Sequence, residues 1–257
     1  MYCNNDIRLY ISFFIIVINL KDITKKFSDK VILNKINLNI CDNDCVAIIG
    51  QSGVGKSVLL KHINGLLKPD SGQVFIDDVN VNKLNFYEKQ KYLKKMSMVF
   101  QFGALFDSLS VKNNIMLALN HLTNLSDKKK MEKVSEVLDL VNLSNVENLF
   151  PSDLSGGMRK RVGIARAIAT NPEYILYDEP TTGLDPITTD KVCRLIKNIS
   201  TRKKQTTIVV THEMKIVHEI VNKVVMIYQG DIIFQGSPED LKLSNDKYIK
   251  YFISGKK

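Results

Sequence analysis

Cys45-Val46-Ala47-Ile48-Ile49 leads into Gly50-Gln51-Ser52-Gly53-Val54-Gly55-Lys56-Ser57, and Val58-Leu59-Leu60-Lys61-His62-Ile63 follows. The first five residues read as a short buried strand and the last six as the opening turns of a helix. Between them every fixed position of G-x-x-x-x-G-K-[ST] is met. Glycines let backbone N–H groups close around phosphate oxygens, and a helix N-terminus adds partial positive charge. Gly50 to Gly55 would form that cradle and Val58 the helix entry. Lys56 is the residue type that reaches β- and γ-phosphates, and the Ser57 hydroxyl the type that ligates Mg²⁺. The bare pattern occurs by chance, but a strand before it and a helix after it are what an anion site needs. The segment predicts an α/β nucleotide-binding fold.

A second segment specifies the kind of nucleotide-binding protein. Leu154-Ser155-Gly156-Gly157-Met158-Arg159-Lys160-Arg161 precedes the amphipathic run Val162 to Ile168. Ser155 is a good N-cap, and Gly156 and Gly157 leave the helix start open to an anion. Tyr174-Ile175-Leu176-Tyr177-Asp178-Glu179-Pro180 is an apolar strand ending in two acids. Asp178 is placed to hold Mg²⁺ through water. Glu179 is placed to orient and deprotonate an attacking water. Two acids after an apolar strand usually form a solvated loop. Behind a phosphate loop and a second anion site they read as catalytic.

In this order the motifs resemble those of the ATP-binding cassette (ABC) ATPases, over about Val17 to Gly255. The resemblance implies a P-loop NTPase with a mainly parallel core sheet, an antiparallel β portion and a helical subdomain at about 103–169. It implies ATP and Mg²⁺ as ligands. Phe27 would stack on adenine. Gln101, in Met98-Val99-Phe100-Gln101, would touch Mg²⁺ and the attacking water. Leu154 to Met158 matches the signature, with Met158 replacing its last residue. Asp185, in Gly183-Leu184-Asp185, matches the D-loop. His212, after the strand ending at Thr211, would contact the γ-phosphate. Taken singly, Phe27 reads as a core aromatic, Gln101 as a polar strand end and His212 as a surface histidine. Their order and spacing carry the roles. His62, His121 and His218 have no such frame and read as structural.

The resemblance also implies an assembly. One ATP would lie between the P-loop of one copy and Ser155-Gly156-Gly157 of another, giving a homodimer with two equivalent sites. Closure would pass to integral membrane permease subunits encoded separately. Gln101-Phe102-Gly103-Ala104-Leu105-Phe106 and Met158 look like the ATPases of Mce/Mla-type lipid transporters, which also use an Mce-domain substrate-binding protein. The alternative is an importer of amino acids or another small solute. The expected place is the cytoplasmic side of a bacterial inner membrane. Soluble ABC proteins of translation or DNA repair usually carry two cassettes or a long coiled coil, and neither is seen. A cassette that no longer hydrolyses would not need Glu179 and His212.

The 257 residues can bury a large core. Lys+Arg 36 against Asp+Glu 27 gives +9, which suits nucleotide or an anionic membrane surface. No nucleic acid is expected, because Lys128-Lys129-Lys130 and Arg202-Lys203-Lys204 lack interleaved aromatics and read as solvated faces. Cys3, Cys41, Cys45 and Cys193 form no C-x-x-C pair and read as reduced thiols of a cytosolic protein. The apolar run Leu9 to Ile18 is too short to span a bilayer and lacks a cleavage site. Residues 1–14 read as an extension or a misassigned start, ahead of a single domain over 15–257. Turns are expected at Pro69-Asp70-Ser71-Gly72 and Asp77-Asp78, and a polar helix at Lys83–Lys95. Met131, Val134, Val137, Leu138 and Val141 recur at helical spacing and read as core. From Tyr174 onward strands and helices alternate, which implies a mainly parallel sheet. A short helical tail is expected at about 240–257.

Overall fold

Residues 15–203 and 205–254 are described by the computed structural model. The segment 1–14, with Cys3, lies outside them, as do Lys204 of one basic run and the end of the tail. Strands β1 (Ile16–Phe27) and β2 (Lys30–Cys41) pair antiparallel, and β3 (Cys45–Ile49) enters the P-loop. Helix α1 (Lys56–Ile63) is followed by β4 (Ser71–Ile76), β5 (Val79–Asn80), α2 (Phe86–Leu93) and β6 (Met96–Val99). Helices α3 (Val111–Leu122), α4 (Asp127–Leu140) and α5 (Gly156–Ile168) come next. The chain then alternates through β7 (Tyr174–Asp178), α6 (Pro186–Lys203), β8 (Thr206–Val210), α7 (Met214–Glu219) and β9 (Lys223–Tyr228). It ends with β10 (Asp231–Gly236), α8 (Pro238–Leu243) and α9 (Lys247–Ser254).

The strands form a four-stranded antiparallel sheet, β2-β1-β4-β5, and a six-stranded sheet, β10-β9-β3-β8-β7-β6. All pairings in the larger sheet are parallel except β10 with β9. Every residue of β3, β7 and β8 is buried, because both faces are covered. The alternation of side chains shows how. Ala47, Ile49, Ile175, Tyr177 and Val209 point into one core with the helices. Val46, Ile48, Leu176, Ile208 and Val210 point into the other, shared with α1 and the antiparallel sheet. β2 instead alternates buried and exposed residues, as a strand covered on one face should.

Two expectations need correction. Met131 is 44% exposed, whereas Val134, Val137, Leu138 and Val141 are buried. The apolar stripe of α4 runs one turn past the core beneath it. Ser71 and Gly72 begin β4 rather than a turn. Gly72 is needed for close approach to β1: a Cβ there would lie 2.4 Å from the Asp22 carbonyl oxygen. The Asp77-Asp78 turn has positive φ at both residues. Cys41, Cys45 and Cys193 are free thiols.

Candidate active site

The larger sheet brings the chemistry-bearing residues together at the carboxyl ends of neighbouring parallel strands. β3 ends in the P-loop, β6 leads to Gln101, β7 delivers Asp178 and Glu179, and β8 leads to His212. Ligands of open α/β sheets bind at these ends because the connecting loops splay apart there.

The P-loop glycines are fixed by geometry. Gly50 has φ 148°, and a Cβ on it would lie 2.4 Å from the Ile227 carbonyl oxygen. Gly55 caps α1 at φ 104°, with room for a Cβ closed by the Ile32 carbonyl at 2.9 Å. Lys56 is buried, and its ammonium donates to the carbonyls of Gly50 at 3.0 Å and Gln51 at 2.9 Å. It also lies 3.8 Å from Glu179 Oε1. Burial pulls the Lys56 pKa below the ordinary lysine value, while the Glu179 and Asp178 carboxylates oppose that shift.

Ser57 Oγ donates to Asp178 Oδ1 at 2.7 Å. Hydroxyl and carboxylate oxygens side by side suit a hard cation such as Mg²⁺. Burial raises the Asp178 pKa, the Ser57 hydrogen bond counters it, and the Glu179 charge adds to it. A bound divalent cation would reverse that balance.

Glu179 adopts φ 46°, uncommon for a non-glycine residue and costly enough to suggest functional strain. Its N–H donates to the Val210 carbonyl at 2.9 Å, which pins it to the end of β8. Its Oε2 accepts from Thr182 Oγ1 at 2.7 Å and lies 3.4 Å from His212 Nδ1. A cavity of about 290 Å³ is lined by Phe27, Ile32, Ser52, Gly53, Gly55, Lys56, Ser57, Val58, Gln101 and Glu179. Phe27 closes β1 at one edge, 48% exposed, with the Lys25 ammonium 5.5 Å from its ring centroid.

Other expected site residues lie elsewhere. Gln51 and Val54 line a neighbouring hollow with Tyr228 and Gly230. Ser155, Gly156, Gly157 and Asp185 do not line the P-loop cavity. Ser155 caps α5 by accepting from the Met158 N–H at 3.2 Å. Gly156 has open space where a Cβ would be. Asp185 Oδ1 accepts from the Thr188 N–H at 2.9 Å at the start of α6. This is a local structural job for a residue expected at the nucleotide. Sequence reasoning missed Thr182 as a partner of Glu179. Thr182 follows Glu179 by three residues, the separation at which a turn folds a side chain back, and that was the available signal.

A protein-family model described as ABC transporter matches residues 33–182. The methionine import ATP-binding protein MetN of Bartonella henselae is 39% identical over 228 residues, covering 88% of this chain and 66% of that protein. The chain thus spans just under two thirds of the length of that relative. The intermembrane phospholipid transport system ATP-binding protein MlaF of Haemophilus influenzae is 36% identical over 239 residues, covering 93% of this chain and 90% of that protein. A bacterial ABC transporter cassette solved as a dimer, MJ0796, superposes with TM-score 0.80 at 33% identity, covering 86% of this chain and 98% of that one. The phosphate loop, the acids after β7 and the sheet that gathers them agree with these likenesses, and the chain belongs to the ATP-binding proteins of ABC transporters as an ATP-hydrolysing cassette.

Proposed function

We propose that this ATPase powers movement of phospholipid or another hydrophobic molecule through separately encoded permease subunits. It would work as a homodimer, with Mg²⁺ held by Ser57, Asp178 and Gln101, and with an Mce-domain protein as a further partner. Lys56 and the N–H groups of Gly50 to Ser57 would hold the phosphates. Glu179 would take the proton of the attacking water, His212 would steady the γ-phosphate, and Phe27 would stack on adenine. No helix among the described residues is long and apolar enough to cross a membrane. The proposed place is the cytoplasmic face of the inner membrane, bound to the permease.

The observation that carries the cargo reading is the segment Gln101 to Phe106 together with Met158. Phe102 is 79% exposed and Phe106 53% exposed, beside a hollow rimmed by Gly156 and Arg159. Methionine import is the second reading, favoured by the likeness to MetN. Deleting the gene separates them. Lipid transport predicts altered lipid distribution between the two membranes and greater detergent sensitivity, with no amino-acid requirement. An intact outer-membrane barrier with a growth defect rescued by methionine would replace lipid by methionine as the cargo.

A further inference from the structure

We propose that Lys160 and Thr182 are positioning residues that tie the signature helix α5 to the Glu179 carboxylate of the same chain. This rests on the reading of Glu179 as the base. Lys160 sits early in α5 and is only 6% exposed. Its ammonium donates to the Thr182 carbonyl oxygen. Thr182 in turn holds Glu179 twice. Its Oγ1 donates to Oε2 at 2.7 Å, and its N–H donates to the Glu179 carbonyl oxygen at 3.3 Å. One residue therefore joins the helix whose N-terminus is the second anion site to the carboxylate of the first.

The charge balance supports the link. Among the described residues no carboxylate oxygen lies within 4.0 Å of the Lys160 ammonium. A buried cation without an ion pair carries a desolvation cost. Burial lowers its pKa, and the charge of Glu179 is what opposes the shift. The cation and the Glu179 carboxylate are thus joined through the two hydrogen bonds of Thr182.

The same contacts separate the two carboxylate oxygens. Oε2 accepts the hydroxyl proton of Thr182 at 2.7 Å and lies 3.4 Å from His212 Nδ1. Oε1 lies 3.8 Å from Lys56 Nζ.

The test is steady-state ATP hydrolysis by the full chain carrying Thr182→Val, Thr182→Ser, Lys160→Met, the double change Lys160→Met with Thr182→Val, or Glu179→Gln. Thr182→Val keeps the side-chain shape and removes the donor. It should lower kcat on the order of tenfold while KM for ATP stays within about twofold, because the loss is of orientation and not of ATP binding. Thr182→Ser should restore most of kcat. Lys160→Met should lower kcat to a similar degree, and the double variant should be no slower than the slower single one, since both act on one carboxylate. The Val and Ser pair decides the matter if Lys160→Met fails to fold. Wild-type kcat in Thr182→Val while Glu179→Gln is inactive would overturn the positioning role and leave the base intact. So would a raised KM at unchanged kcat. Undiminished turnover by Glu179→Gln would instead remove the base reading, and this inference with it.

Discussion

Ser57 Oγ and Asp178 Oδ1 stand 2.7 Å apart although 121 residues separate them in the chain. The contact joins the first turn of α1 to the end of β7, so the metal-ligand types meet only once the sheet is assembled. Asp178 is 9% exposed and carries its charge against a burial cost that raises its pKa.

Asp178→Asn should therefore have opposite effects on function and stability. Mg²⁺-dependent hydrolysis should fall on the order of a hundredfold, because the amide offers the cation no charge. The nucleotide-free protein should become more stable by about 1 kcal/mol. The sign follows from the raised pKa. A carboxyl that titrates higher in the fold than in the unfolded chain weakens the fold once pH rises above the unfolded value. The weakening disappears at acid pH, where both forms are protonated. Thermal unfolding should show a gain at neutral pH that shrinks on acidification. A variant less stable than wild type at neutral pH would contradict this account.

The P-loop glycines should differ sharply from one another. At Gly50 a Cβ meets the Ile227 backbone oxygen, which cannot move aside, and φ is 148°. Gly50→Ala should cost more than about 2 kcal/mol. At Gly53, φ is 81° but nothing lies within 4 Å of the added atom. Gly53→Ala should cost only the left-handed backbone penalty, about 1 kcal/mol. Denaturant unfolding of both variants measures the difference, and equal losses would mean that Ile227 is not the constraint.

The strand–loop–helix at β3 was legible because continuous apolar residues, a glycine pattern and a helix former are all local signals. Asp178 and Glu179 were legible for the same reason, at the end of the apolar run Tyr174 to Tyr177. Met131 was misread because periodicity gives the face of a helix but not where the core beneath it stops. Gly72 was misread as a turn because β1 crowds it from 50 residues away, and no local pattern records that. Lys160 stands in the segment Leu154 to Arg161 with no local signal of its burial, which depends on the loop after β7. The bond from Thr182 to Glu179 depends on the left-handed turn at Glu179, which no residue type there announces.

Lys56 should take up a proton when ATP binds at alkaline pH. Its ammonium is buried and its pKa lowered, so part of the population loses its charge as pH rises. Phosphate oxygens placed against it would favour the charged form and raise the pKa again. Calorimetry in buffers of different ionisation enthalpy should give proton uptake at alkaline pH and little at neutral pH. Affinity should fall as pH rises. Lys56→Ala should remove measurable binding. A binding enthalpy independent of buffer at alkaline pH would mean that Lys56 does not meet the phosphates.

The separation of Ser155, Gly156 and Gly157 from the P-loop cavity motivates a test of how the two proposed anion sites combine. Gly156 is exposed, with open space around it, as a surface awaiting another molecule would be. If each ATP lies between the P-loop of one copy and the signature of its partner, Ser155→Arg blocks the partner's site. Two heterodimers distinguish this from assembly within one chain. In the first, one chain carries Ser155→Arg and the other Lys56→Ala. Assembly between chains puts both defects in one site and leaves the other whole, so about half the hydrolysis should remain if the sites turn over independently. In the second, one chain carries both changes and its partner none. Assembly between chains now damages both sites, and hydrolysis should fall to background. Assembly within one chain predicts the reverse order. Greater hydrolysis by the second heterodimer than by the first would exclude the shared site and confine each nucleotide to a single chain.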